Sequence, residues 1–537
     1  MRRPARSQTG SKIANHTGGR IERRGVPGSG VLWVLAVAEF MLTLDLSIVN
    51  LALPSLNADL GFGQGGLQWV VNGYALTFAG FLLFGGRAAD LLGGRRVFVS
   101  ALVAFSGASL ACGLAADAAV LVAARVVQGL SAGVLAPVIL SILTSTYRDP
   151  DARNRALAIW AGVGIGGGAG GGLLGGALTA ALSWRWIFFV NVPVGAVLLV
   201  LARVWLPRTK VRRGPGSIRG RLDCAGAATM TGGLTVLAWA LIRPGEVGWA
   251  SGEVVGGLAL AAALLGAFVL IEARARAPLV RFSVLRSRPL AVGNLLSFLS
   301  FVPVLATWFF LTLYLQHVRG YPPMATGLLF LPLSLAVVSG SQVSFRIVGR
   351  VDARALCAAG GVIAAGGAAW LGSVIAPESN ALSVIVPASI VMAGGGLMVA
   401  PITVAATSVP PERGGLASGL LNTTRQFGGA LGLALLGTIA AMQTRSHAVA
   451  GPAAALSAGY GTAFYTGAVI FAATALTAAI ALPSRLGAPI PAPEPRPDGD
   501  PADALDESDP GRVRLRLRPR GSTAAGGDRE IGKGAKR

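Results

Sequence analysis

Two carboxylates, Glu39 and Asp45, lie in the apolar stretch Val31 to Leu53, and a guanidinium and an amide, Arg125 and Gln128, lie in a later one that reads LVAARVVQGLSAG. A carboxylate at membrane depth is costly, and its charge state depends on what sits beside it, which suits it to taking up and releasing a proton or holding a substrate. A buried guanidinium cannot shed its proton, so Arg125 must meet a carboxylate, a carbonyl or water. Asp45 is the expected partner, and a purely structural ion pair is the competing reading. Glu39 and Asp45 are separated by roughly 120° around a helix and about 9 Å along it, so they are not a shared-proton pair and should face different neighbours. A third polar group, Asn422 with Arg425, sits in GGLASGLLNTTRQFGGALG and again has glycines on its helical face. No nucleophile, base or metal-ligand cluster accompanies these groups, because His16, His317 and His447 all fall outside the apolar stretches. The chemistry on offer is reversible binding of protons and solutes.

The elements that must position these residues are membrane helices. The 537 residues are 53% hydrophobic and 13% charged, with mean hydropathy +0.63, which excludes an ordinary soluble protein. Stretches of about 20 apolar residues are expected at 31–53, 67–89, 97–116, 119–145, 156–182, 186–206, 222–242, 251–271, 290–315, 325–345, 355–375, 381–406, 417–442 and 461–482. The formal charge of +22 follows topology: 38 Lys and Arg fall in the two tails and alternate loops, against four (Arg185, Arg243, Arg319, Arg445) in the intervening loops. By the positive-inside rule both termini are cytoplasmic, and the charge gives no reason to invoke nucleic acid. The basic start of the first stretch resembles a signal peptide, but its length and the lack of a small-residue cleavage site make it an uncleaved span.

Residues 1–30 and 483–537 read as disordered, Gly-, Pro- and charge-rich cytoplasmic tails, the second carrying an Arg-alternating piece, Arg512 to Arg518. Basic loops isolate spans 7 and 8, giving an N-terminal six-helix half at 31–206, a two-helix linker region at 207–289 and a C-terminal six-helix half at 290–482. An internal echo supports two halves: GRAADLLGGRR (Gly86 to Arg96) and FRIVGRVDAR (Phe345 to Arg354) occupy the same turn of each. Two halves around a midplane site is the layout of a rocking transporter.

Ten glycines crowd Gly162 to Gly176 in span 5. They formally contain GxGxxG, but no strand precedes it and no later acidic residue follows, so close helix packing is the reading. The tryptophans of SWRWIFFVNVPVG (Ser183 to Gly195) suit the water boundary. Cys112, Cys224 and Cys357 are read as small packing residues inside spans. Trp160, Phe298, Phe301, Trp308, Phe309 and Phe310 could line a greasy pocket or simply pack.

LDLSIVNLALP, GRAADLLGGRR, RVVQG, the glycine-rich span, SWRWIFFVNVP and ASGLLNTTRQFGGALG, in that order, resemble the fourteen-span drug/proton antiporter branch of the major facilitator superfamily across Val31 to Leu482. The resemblance implies an all-α polytopic fold of about fourteen transmembrane helices, arranged 6 + 2 + 6 with pseudo-symmetric halves. It implies a proton-linked role for Asp45 and Arg125, a cytoplasmic gate at Gly86, Asp90, Gly93 and Arg95, and an antiporter motif at Gly171, Gly175 and Gly176. Glu39, Gln128, Asn422 and Arg425 remain candidates for proton or substrate contact from the residues themselves. The sequence departs from the family pattern at Gly172, where Pro is usual, and at Leu91 and Gly94, where basic residues are usual. A softer bend and a thinner charge network are expected there.

The expected function is export of an amphipathic drug or antibiotic across a bacterial cytoplasmic membrane by alternating access, by a monomer in the lipid bilayer, with no enzyme activity. No Walker A sequence is present, so the energy source is the proton gradient and no cofactor is expected. The alternatives are an importer or symporter on the same fold, and a membrane-embedded lipid-modifying enzyme.

Overall fold

The computed structural model describes residues 28–62, 66–147, 149–207, 223–275, 278–279, 286–409 and 414–483. The expected disordered tails, the Arg-alternating piece and most of both basic linker loops lie outside the described residues.

Fourteen helices among the described residues are long and apolar enough to cross a membrane: α1 (Ser29–Leu60), α2 (Gln68–Leu92), α3 (Gly94–Gly113), α4 (Ala118–Thr146), α5 (Asp151–Ala181), α6 (Trp186–Trp205), α7 (Cys224–Val247), α8 (Gly252–Arg274), α9 (Arg288–Val318), α10 (Pro323–Ile347), α11 (Ala353–Val374), α12 (Ala381–Ala406), α13 (Gly414–Ser446) and α14 (Pro452–Ala481). Their starts are written in the sequence. Asp117, Asp149, Asp223, Ser251, Asp352 and Asn380 each precede a helix and accept a hydrogen bond from a backbone N–H of its first turn. Between α2 and α3 the chain reverses at Gly93, whose φ of +93° is open to glycine and strained for other residues.

With so many small residues, helices approach backbone to backbone. A Cβ on Gly129 would lie 2.3 Å from the Tyr74 carbonyl oxygen, and one on Gly133 would lie 2.4 Å from that of Phe78, which seats α4 on α2. The same pairing recurs later, where α12 meets α10 through Gly340 and the Ala393 carbonyl. The main contacts of α1 to α6 are α1 with α5, α2 with α4, and α3 with α4 and α6. Those of α9 to α14 repeat them eight helices later: α9 with α13, α10 with α12, and α11 with α12 and α14. The echoed turns repeat as well. Arg95 Nη2 donates to the carbonyl of Arg203 at the end of α6 (2.6 Å), and Arg354 Nε donates to that of Leu482 at the end of α14 (3.0 Å). Each arginine answers the unsatisfied carbonyls and negative dipole end of a helix.

Two seams join the sets, α2 with α13 and α5 with α10. The extra pair, α7 and α8, packs on itself and leans, through α7, on the α2–α13 seam alone. The α5–α10 seam is shut near the C-terminal end of α5, where a Cβ on Gly176 would sit 2.6 Å from the Pro323 carbonyl oxygen. Nearer its N-terminal end, Gly162 and Gly168, which flank the α10 side of α5, meet nothing within 4 Å. Gln316 Nε2 adds a bond to the Leu51 carbonyl (2.9 Å) at the shut end, between α9 and α1. The cleft is thus closed on the face where α1 ends and open toward the face where α1 begins.

At the shut end the basic residues find local partners. Arg185 Nη1 meets Asp59 at 2.6 Å, Arg243 meets Glu253 at 2.6 Å and also Glu246, and Arg319 donates to the Pro377 carbonyl. Two readings need correcting. Cys224 is exposed at the start of α7, whereas Cys112 and Cys357 are buried as expected. His317 belongs to a wide, π-helical last turn of α9, Tyr314–Val318, so that helix outruns the expected span. Phe309 and Phe310 join Tyr460 around a cavity of about 250 Å³ near the shut end.

Gly171 carries a direct test of this packing. A Cβ there would lie 1.9 Å from Ser47 Oγ and 3.1 Å from the Ile48 nitrogen. Gly171→Val is expected to cost about 1–3 kcal/mol as overpacking, read as a lowered melting temperature of the purified protein. Gly166→Val, which meets nothing within 4 Å, should leave the melting temperature close to wild type.

Candidate functional site

Asp45 lies on α1 about two turns before Pro54, and its carboxylate is fully buried at 0% exposure. Three side chains donate to it: Arg125 Nη1 to Oδ2 at 2.8 Å, and Gln128 Nε2 and Asn191 Nδ2 to Oδ1, each at 2.8 Å. Arg125, 1% exposed, spends its other donors on the Val70 carbonyl (3.0 Å) and on Gln128 Oε1 (2.9 Å). Its guanidinium lies 4.2 Å from the Tyr74 ring centroid and 5.8 Å from that of Phe188. Ser109 Oγ receives Gln128 Nε2 (3.2 Å) and Asn191 Nδ2 (3.0 Å) and donates to the Phe188 carbonyl (2.9 Å). The buried Cys112 thiol closes the group 3.6 Å from Gln128 Oε1.

One neutral ion pair, with both carboxylate oxygens hydrogen-bonded, therefore ties α1, α2, α3, α4 and α6. The spacing of α4 explains how: Arg125 and Gln128 are one turn apart on one face, and Gly129 lets α2 come close enough for Val70 and Tyr74 to reach the guanidinium. Such an arrangement can hold one proton on Asp45 in exchange for the Arg125 contact.

Asn191, Ser109 and Tyr74 escaped the sequence reading. Asn191 carried a usable signal, a lone amide just inside an apolar span, and Ser109 and Tyr74 carried none.

Glu39 points elsewhere, as its angular offset requires. It lies against Gly164 of α5, where a Cβ would sit 3.2 Å from Glu39 Cγ. Its Oε2 is enclosed without a hydrogen-bond partner. The Trp160 indole N–H is within electrostatic reach but outside hydrogen-bonding geometry, and is itself unpartnered. Arg425 on α13 is partly buried under no ion pair; its guanidinium stacks 4.8 Å from the Phe301 ring centroid. Asn422 is exposed and bonds only the Ser418 carbonyl, at 3.2 Å.

The gate residues divide. Asp90 is exposed at the end of α2, Gly93 makes the turn, and Arg95 caps α6. Gly86 makes only an ordinary 3.8 Å approach to Pro137; its neighbour Gly85 is the one pressed on α4, 2.6 Å from the Val134 Cα for an added Cβ. Gly171 and Gly175 face α1, through Ser47 and the Ile48 carbonyl, whereas Gly176 faces α10. The motif thus serves two partners. At Gly172, the position of the missing proline, α5 runs on as unbroken helix and receives Gly327 against its carbonyl.

Residues 35–433 match the sequence profile of the Major Facilitator Superfamily. The chain belongs to the major facilitator superfamily. As a major facilitator it is a multi-pass membrane transporter and not an enzyme. It is 43% identical to the cephamycin export protein of Amycolatopsis lactamdurans over 454 residues, 83% of this chain and 90% of that one. It is 36% identical to the puromycin resistance protein of Streptomyces alboniger, covering 78% of this chain and 82% of the other. Among solved structures, a D-xylose–proton symporter shares the fold, with a TM-score of 0.59 at 13% identity over 85% of this chain and 98% of that chain. The expected all-α major facilitator fold of fourteen helices is therefore the observed one.

Proposed function

We propose that this major facilitator exports amphipathic organic compounds, antibiotics among them, in exchange for protons that load on Asp45. The observation that carries the reading is the sealed Asp45 carboxylate with its three donors on α4 and α6. A proton on Asp45 cancels its charge and its pairing with Arg125, which loosens α1 from α4 and α6. Loss of the proton rebuilds the knot. The export of cephamycin by one relative, and resistance to puromycin in another, support the direction and the substrate class.

In this reading the open face is cytoplasmic, as the 38-to-4 split of basic residues suggests. The two six-helix sets, 31–206 and 290–482, rock about the shared cleft, with 207–289 riding on one of them. Gly86, Asp90, Gly93 and Arg95 form the inner gate; Gly171, Gly175 and Gly176 form the sliding surface of α5. A monomer in the bacterial cytoplasmic membrane suffices. One proton crossing about 150 mV supplies about 3.5 kcal/mol, a few-hundredfold substrate gradient.

The test uses purified protein in vesicles with an acid interior and rhodamine B outside. Wild type is expected to accumulate dye as protons leave. Asp45→Asn should abolish accumulation yet keep gradient-free exchange of dye for dye. Accumulation by Asp45→Asn at the wild-type rate would overturn the proposal.

A further inference from the structure

The contacts of α1 on α5 and of α9 on α13 share one register. Gly167 is pressed on Thr43 and Gly171 on Ser47; Gly428 is pressed on the Phe298 carbonyl and Gly432 on Val302. Aligning Gly167 with Gly428 also aligns Gly171 with Gly432, and three residues earlier it aligns Gly164 with Arg425. Aligning Thr43 with Phe298 also aligns Ser47 with Val302 and puts Glu39 opposite Asn294, whose amide donates to the Leu290 carbonyl and accepts from Thr424 Oγ1. One set therefore projects an acid from its first helix over a glycine. The other projects a cation from its fifth helix toward Phe301.

Halves of this fold are related by an axis along the membrane normal, so positions in one register share one depth. Glu39 and Arg425 are each the twelfth residue of their helices, Gly28–Leu60 and Gly414–Ser446, about 16 Å from the helix start and close to the middle of a bilayer. Both are partly exposed, and a charge at that depth faces water rather than hydrocarbon. Gly168, one turn beyond Glu39's neighbour Gly164 on the same face of α5, meets nothing within 4 Å. Asp45 and Arg125 neutralise each other. Glu39 and Arg425 are the two charges near helix midpoints, among the described residues, that lack an opposite charge.

Resting on the transport reading above, we propose that the cleft takes an amphoteric amphipath, its cationic group at Glu39 beside the Trp160 ring and its carboxylate at Arg425 and Asn422. An unpaired anion and an unpaired cation at one depth, one in each six-helix set, are completed together by a ligand carrying both charges. Trp160 offers the cation an aromatic face as well.

Binding, measured without any gradient, separates this proposal from the transport reading. Fluorescence anisotropy of the purified full chain would compare three xanthene dyes: zwitterionic rhodamine B, its cationic ethyl ester and anionic carboxyfluorescein. Rhodamine B is expected to bind at least about tenfold more tightly than either. Glu39→Gln should erase its advantage over carboxyfluorescein and keep that over the ester; Arg425→Gln should do the reverse. The charge-preserving Glu39→Asp and Arg425→Lys should retain the ranking, which a merely structural role would not require. An unchanged ranking in both amide variants, or no preference in wild type, would overturn the proposal. A preserved ranking in a protein that fails to respond to a pH gradient would uphold it while sinking the proton-driven reading.

Discussion

Arg125→Ala is expected to lower stability by about 3–5 kcal/mol, because it strands the Asp45 carboxylate at 0% exposure with its charge partner removed. It also frees the Val70 carbonyl and empties the space over Tyr74, so α2 loses one of its ties to α4. The double variant Asp45→Asn with Arg125→Gln should recover most of that loss. Two amides of similar length refill the volume and can hydrogen-bond to Gln128, Asn191 and each other with no net charge to desolvate. Denaturant unfolding of the purified proteins in one detergent checks the stability. The transport assay then divides the roles: if the pair only locks helices together, the double variant should drive rhodamine B as wild type does. Its expected behaviour is a stable protein with gradient-free exchange and no accumulation.

Gly176→Phe is the second large effect. No rotamer of a phenylalanine fits where a bare Cβ already lies 2.6 Å from the Pro323 carbonyl oxygen and 3.1 Å from the Met324 Cα. Backbone sits on the far side, so the seam must part at that end. A penalty of about 1–3 kcal/mol applied to one conformation alone shifts the equilibrium roughly ten- to hundredfold toward the other. A cysteine placed at Gly168, which faces open space, reports the change. In a Cys224→Ser background it should react readily with a water-soluble maleimide, and at least about tenfold more slowly once Gly176→Phe is added. Equal rates would mean that the α5–α10 seam is not the moving surface.

Helix number was legible because each span is a run of apolar residues and because caps such as Asp117 and Asn380 announce their helices. The least legible start was that of α14, which begins at Pro452, nine residues before the expected Gly461. Its first turns, PAAALSAGY, are small and weakly hydrophobic, so hydropathy is low where helix propensity is not. The Asp45 to Arg125 contact was expected on charge alone. The rest of the network was harder, since Asn191 reaches Asp45, and Ser109 reaches Asn191 and Gln128, only through the crossing of α3 and α6, and no periodicity in one helix encodes a crossing. Gly85 was hidden behind Gly86 for a related reason: adjacent glycines look alike in sequence, while only one faces α4. The vacancy of charge around Glu39 and Arg425 is also a tertiary fact, visible once every neighbouring helix is in place.

The chain order of the central ion pair bears on how the protein is made. Asp45 leaves the ribosome 80 residues before Arg125 and 146 residues before Asn191. At roughly 5–20 residues per second, α1 waits about 4 to 16 seconds for its cation. Through that interval Glu39 and Asp45 each weigh against insertion by about 2.5–3.5 kcal/mol near a helix centre. The leucines, valines and alanines around them must outweigh both, or α1 must linger at the translocon until α4 arrives. The residue proposed to load the proton in the finished protein is thus, during synthesis, among the hardest to hand to the membrane.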